Sequence, residues 1–200
     1  MNAQLAGAWA QVEEMYGELI ELVERLDEVA ANWRPSAPES NSIAALVRHT
    51  IGSNGMWCSI ALDEPFERDR DAEFRVQERP ETLVAALRDS FASVHERFER
   101  LDGVDLAVER RDPRPGGEVY TAGWCVAHVV AHMSEHWGQI QLTRDLYRAG
   151  GSGGSTASKA SVVRTPEEEG SGGSTASKAS VVRTPEEEGS GGSTATEEGA

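Results

Sequence analysis

The sequence predicts an all-α protein, a four-helix up-down bundle with a longer crossover loop, followed by a disordered C-terminal tail. Apolar residues recur at helical spacing in four long stretches of residues 1–150. No run between them alternates convincingly enough to read as a strand. From residue 151 onward there is no Leu, Ile, Met, Phe, Tyr, Trp, His or Cys, so nothing there can build a core.

The first helix is read from Leu5, Trp9, Val12, Tyr16, Leu19, Val23 and Leu26, which step alternately by four and three along one face. Glu13, Glu14, Glu18, Glu21 and Glu24 supply its solvated side. It should end by Trp33, because Arg34 precedes Pro35 and is pushed out of the helical region. Ser40 or Asn41, in the connector PSAPESN, is the expected N-cap of a second helix over residues 42–62. Residues 63–79 are charged and punctuated by Pro65, with Pro80 beyond, and read as the crossover loop. Pro80 suits the first turn of a third helix, whose buried stripe is Leu83, Leu87, Phe91, Val94, Phe98 and Leu101. Gly103 fits its C-terminal cap. RRDPRPGGEVYTAG is a loop with a short extended piece at residues 118–120, and Thr121 caps a fourth helix reaching Arg148.

The tail repeats GSGGSTASKASVVRTPEEE from Gly151 and again from Gly170, a period of 19, with a truncated copy from Gly189. Each copy offers one Val-Val pair and no face to stack, so residues 151–200 read as a solvated Gly/Ser/Thr/Glu-rich tail. Arg-Thr-Pro at Thr165 and Thr184 offers weak phosphorylation motifs. The GSGG runs equally suit an engineered linker.

The net charge is −15. Four Lys or Arg against eight Glu place −4 in the tail, leaving −11 for residues 1–150. An acidic body argues against nucleic acid and anionic membrane as partners, since both require a basic patch. The N-terminal stretch lacks the cationic and apolar regions of a secretory signal, and no apolar run is long enough to span a bilayer. The expected location is the cytoplasm, with Cys58 and Cys125 as free thiols.

Five histidines occur, and His128, His132 and His136 follow one another at steps of four on the fourth helix. Neighbours four apart share a helix face, so two of these imidazoles can hold one metal ion. A third ligand must come from another helix. His49 is the candidate, because Leu46, Met56 and Ile60 lie near it on the helical wheel and turn it inward. A single histidine on an apolar face is ordinarily a hydrogen-bonded core residue. Several neutral imidazoles buried together without a cation would instead leave lone pairs unsatisfied, which favours a metal. His95, in the charged run HERFER, reads as a surface residue.

The stretch SIAALVRHTIGSNGMW, followed after a charged loop and another helix by WCVAHVVAHMSEHWGQI, resembles the DinB/YfiT-like metalloprotein superfamily. The resemblance covers residues 1–150 and none of the tail. It implies His49, His132 and His136 as the ligands of a divalent ion, with His128 lining the pocket. Relatives usually carry an Arg after the last histidine, where this chain has Trp137. Gln139 would orient a ligand or water, and Trp57, Met56 and Trp124 would line an apolar cleft, although each suits a packing or surface position equally well.

Zinc is the expected ion, with Ni, Fe or Mn as alternatives, since imidazole serves all of them. The resemblance further implies a homodimer and a metal-dependent S-transferase or hydrolase working on a small molecule with a low-molecular-weight thiol. The alternative is a non-catalytic metal- or small-molecule-binding stress-response protein. Haem is disfavoured, because H-x₃-H places both imidazoles on one side of an iron. Cys58 and Cys125 are not convincing nucleophiles.

Overall fold

The computed structural model describes residues 1–151, and the repeat tail, with Thr165 and Thr184, lies outside the described residues. The chain forms the expected four-helix bundle with a longer crossover. Its long helices are α1 (Ala3–Glu24), α3 (Ile43–Leu62), α5 (Pro80–Leu101) and α6 (Ala122–Gly151). Two short helices, α2 (Glu28–Asn32) and α4 (Arg70–Glu73), and two short strands, β1 (Glu109–Arg111) and β2 (Val119–Thr121), fill the connections.

The apolar seam of α1 is buried as its spacing requires, with Leu5, Val12, Tyr16 and Val23 fully inside. Helix one does not run unbroken to Trp33. Asp27 interrupts it by accepting the backbone N–H of Ala30 at 2.7 Å, which caps a new helix, α2. Ser42, rather than Ser40 or Asn41, caps α3 through Ala45 N–H, while the Ser40 hydroxyl is spent on the Pro35 carbonyl. Asp63, at φ 61°, ends α3 in the left-handed region.

α3 lies against both α5 and α6, as does α1. It is therefore buried on nearly every side, and its seam is less legible than that of α1. The ion pair Arg48–Glu78 joins the start of α3 to the residues just before α5, and Arg100–Glu64 joins the two ends. The two helices therefore run in the same direction. After α3 the chain must travel back along its length before α5 can begin, and the crossover does this. Phe66 meets α3 at Gly55, Glu73 meets it at Gly52, and Glu78 reaches Arg48.

β1 pairs antiparallel with β2, Arg110 opposite Tyr120. The expected extended piece at residues 118–120 is β2 within one position. Its partner Glu-Arg-Arg carries no apolar alternation that could announce it. Thr121 caps α6 as expected, accepting Trp124 N–H at 3.1 Å.

His95 is not a surface residue: it is half-buried, with its ring 4.6 Å from that of Trp9 in the α1–α5 contact. At the bundle centre Tyr16 Oη lies 2.7 Å from Ser90 Oγ and accepts from Asn54 Nδ2 at 3.2 Å. Asn54 Nδ2 also lies 3.5 Å from Met133 Sδ, so polar contacts link all four long helices. No helix among the described residues is long and apolar enough to cross a membrane.

Candidate metal centre

α3 and α6 pass each other antiparallel, which sets His49 opposite the second and third histidines of the α6 stripe. His49 lies 5.1 Å from His132 and 4.9 Å from His136 between ring centroids. One potential ligand atom from each of the three falls within 4.8 Å of the others. Nε2 of His132 and Nε2 of His136 are 3.1 Å apart.

The outer nitrogens determine what the inner ones can do. His136 Nδ1–H donates to the side-chain amide oxygen of Gln139 (Oε1) at 2.8 Å, leaving its Nε2 lone pair directed at His132. His49 Nδ1–H donates to Glu73 Oε2 at 3.0 Å, which leaves Nε2 as its free nitrogen. A carboxylate can only accept, which favours the proton on Nδ1. Arg68 Nη2 sits 3.1 Å from the same Nδ1 because it donates to Glu73 Oε2 at 2.7 Å and to the His49 carbonyl at 3.3 Å. His132 Nδ1 is buried without a hydrogen-bond partner. The Ser53 hydroxyl lies 3.4 Å from its other nitrogen.

Electrostatics disfavours the charged forms of the α6 histidines. Burial, then the neighbouring imidazoles, push His132 down to about 3. Burial also lowers His136, partly opposed by Gln139, and it lowers His128. Burial alone would raise Glu73, but hydrogen bonds from Arg68 and His49 outweigh it and hold the carboxyl below its usual range.

These residues fit a divalent ion. Imidazole nitrogens bind zinc at about 2.0–2.1 Å, which puts two of them on one ion roughly 3–4 Å apart. The His132–His136 pair already has that spacing. Two of the three rings turn their N–H outward onto an acceptor, the arrangement that ligating histidines use to aim a lone pair at a metal.

The remaining expected site residues divide. Gln139 orients His136, although it is largely exposed. His128 sits beyond His132, packed at 4.4 Å on Trp57 and stacked at 4.8 Å on Trp124. Trp57 is buried within this aromatic cluster, and Trp124 is 41% exposed with Tyr120 stacked at 4.1 Å. Met56 lines a cavity of about 130 Å³ with Ile60, Phe66 and Pro113, edged by Arg68, Arg70 and Arg114. Trp137 is half-buried against the core, and Glu135 accepts from Gln139 rather than joining the triad.

Sequence reasoning missed Glu73, Arg68 and Phe74, the last packed 4.6 Å from the His49 ring. All three lie in the crossover. The available signal was Gly52 with Gly55, two glycines three residues apart inside one helix, where each costs about 1 kcal/mol relative to alanine.

Four bundled helices with three imidazoles converging from two of them define a helical protein whose histidine triad could hold a metal ion. The chain belongs to the DinB superfamily, whose family model matches residues 11–140. No protein of curated function matches it. The fold is similar to that of a conserved protein from Enterococcus faecalis, with 18% identity and a TM-score of 0.59 over 74% of this chain and 99% of that one. It is also similar to a DinB-like protein from Bacillus cereus, with 14% identity and a TM-score of 0.55 over 74% and 91% of the respective chains.

Proposed function

We propose that the protein is a metal-dependent S-transferase in which His49, His132 and His136 hold a divalent ion, zinc by default, with nickel, iron or manganese as alternatives. The observation that carries this reading is the convergence of three imidazoles with two outer ring nitrogens already engaged. When bound, such an ion lowers the pKa of a thiol or water so that the nucleophile exists at neutral pH.

The chain's own thiols support an external nucleophile. Cys58 and Cys125 are buried, and burial pushes them up to about 12 and about 11, so neither supplies a thiolate near neutrality. A low-molecular-weight thiol would fill that role, and a small electrophile would be its partner. The cavity beside Met56 offers that electrophile an apolar wall. Arg68, at its edge, links it to His49 through Glu73. A cytoplasmic homodimer belongs to the same proposal.

The test is elemental analysis of untagged protein, wild type against His49→Ala and His132→Ala. One ion per chain in the wild type, lost in both variants, is expected. Thiol-dependent consumption of an epoxide or alkyl halide by the loaded protein would then establish the chemistry. A loaded protein inert to every thiol and electrophile pair would leave a metal-binding module, and a wild type that takes up no ion would end the proposal.

A further inference from the structure

We propose that Arg68 and Glu73 form a positioning clamp for His49, fixing its Nδ1–H tautomer and holding Nε2 toward His132 and His136, and that Gly52 exists to admit this clamp. The inference rests on the metal reading of the triad and names the device that sets one ligand's orientation.

The pair lies deep for two charged groups. The side chains of His49, Glu73 and Arg68 are 7%, 11% and 9% exposed. A carboxylate so nearly removed from water persists only when its oxygens are fully engaged. Here Oε1 accepts from Arg68 Nε at 2.6 Å, and Oε2 accepts from Arg68 Nη2 at 2.7 Å and from His49 Nδ1–H at 3.0 Å. The guanidinium grips both oxygens, so the carboxylate cannot swing away from the imidazole. Arg68 Nη2 also donates to the His49 backbone carbonyl at 3.3 Å, tying the clamp to the residue it serves.

Gly52 is the steric counterpart. It lies one helical turn beyond His49, on the surface of α3 that the crossover covers. A Cβ there would fall 2.0 Å from Glu73 Oε1 and 2.9 Å from Arg68 Nε. Any side chain at residue 52 therefore displaces the pair. Glycine is a poor helix residue, and whereas Gly7, Gly17 and Gly138 have open space around them, Gly52 lies directly under the clamp.

The three imidazoles are thus not equivalent. His49 is backed by a carboxylate, His136 by a neutral amide, and the outer nitrogen of His132 by nothing. A carboxylate behind an imidazole makes its other nitrogen a stronger donor, so the clamp acts on metal affinity through His49.

The experiment is a competition titration with zinc alone, and with cobalt for its visible absorption, on the full chain. The variants are Glu73→Gln, Gly52→Ala and Glu78→Gln, each checked for folding by circular dichroism. Glu73→Gln keeps the shape and removes the charge. Gly52→Ala leaves every ligand and both clamp residues in the chain but removes their space. Glu78→Gln loosens the same crossover at Arg48, which neighbours His49 in the chain but bonds Glu78 rather than an imidazole, and reports a purely structural role. Glu73→Gln and Gly52→Ala are expected to bind one ion about 10–100-fold more weakly, with shifted cobalt bands, while Glu78→Gln keeps wild-type affinity and spectrum.

Wild-type affinity and spectrum in Glu73→Gln would overturn the clamp while leaving the triad intact. An equal loss in Glu78→Gln would overturn it as well, because the crossover's docking alone would then account for the effect. A wild type that binds no ion would remove this inference together with the proposed function. If Gly52→Ala fails to fold, Glu73→Gln carries the test alone.

Discussion

Replacing Tyr16 by Phe removes one oxygen from the point where α1, α3, α5 and α6 are linked. The phenol is fully buried and holds Ser90 Oγ at 2.7 Å and Asn54 Nδ2 at 3.2 Å. Two neutral hydrogen bonds contribute about 0.5–1.5 kcal/mol each, and stranding their partners adds desolvation, so a loss of roughly 2–3 kcal/mol is expected. Asn54 Oδ1 is already without a hydrogen-bond partner, so the substitution strips a further bond from an amide that is only partly satisfied. For a domain of this size that is a drop in Tm of about 4–12 °C.

Urea denaturation followed by circular dichroism measures it. The Tyr16→Phe, Ser90→Ala double variant should lose less than the sum of the singles, because removing both partners strands less than removing one. The alkaline limb gives an independent signature. Burial, only partly offset by the hydrogen bonds, raises the Tyr16 phenol from 10.0 to about 12, so its contribution is complete below pH 10 and is lost as the pH climbs toward 12. That loss should be absent from Tyr16→Phe. A variant within about 0.5 kcal/mol of wild type, or strict additivity with Ser90→Ala, would refute the network as a source of stability.

Zinc at a hundred times its dissociation constant should stabilise the wild type by about 2.7 kcal/mol and leave His132→Ala unmoved, as read by thermal unfolding. Asp112 is buried at the hairpin turn, and hydrogen bonds from the Arg114 side chain lead the effects that hold its carboxyl below the usual range. Its contribution is therefore present above about pH 4, the ordinary carboxylate pKa, and is lost as the pH falls through the lowered folded value. Asp112→Asn should cost about 1 kcal/mol at pH 7, with the two stability curves meeting in acid. Ile60→Phe intrudes on the cavity beside Met56; it should keep one zinc per chain in elemental analysis while weakening any small electrophile's KM, and an unchanged KM would place the substrate elsewhere.

The parts of the chain that declared themselves were those governed by one periodicity. α1 and α5 each bury one stripe against one side of the bundle, so Leu5 to Val23 and Leu83 to Leu101 were legible from spacing alone. The histidines of α6 and His49 were legible for the same reason, since ligands on helices inherit the helix period. Glu73 and Arg68 were not, because their position depends on the path of the crossover and on how α3 and α5 are oriented. Nothing in a charged loop announces which of its carboxylates turns inward. Asp27 shows the same limit locally: the apolar spacing runs through Val23 to Leu26 undisturbed, while one side-chain oxygen re-caps the backbone just beyond.

The parallel course of α3 and α5 separates two kinds of information along the chain. The four long helices specify shape, through a core that tolerates little change in volume. The return path between them, residues 63–79, contributes few fully buried side chains yet supplies the groups that touch His49 and one wall of the adjoining cavity. Substitution within that stretch can alter the surroundings of the triad without repacking the bundle. For directed evolution, residues 66–74 form a short cassette in which the surroundings of His49 can be varied while the four-helix core is left unchanged.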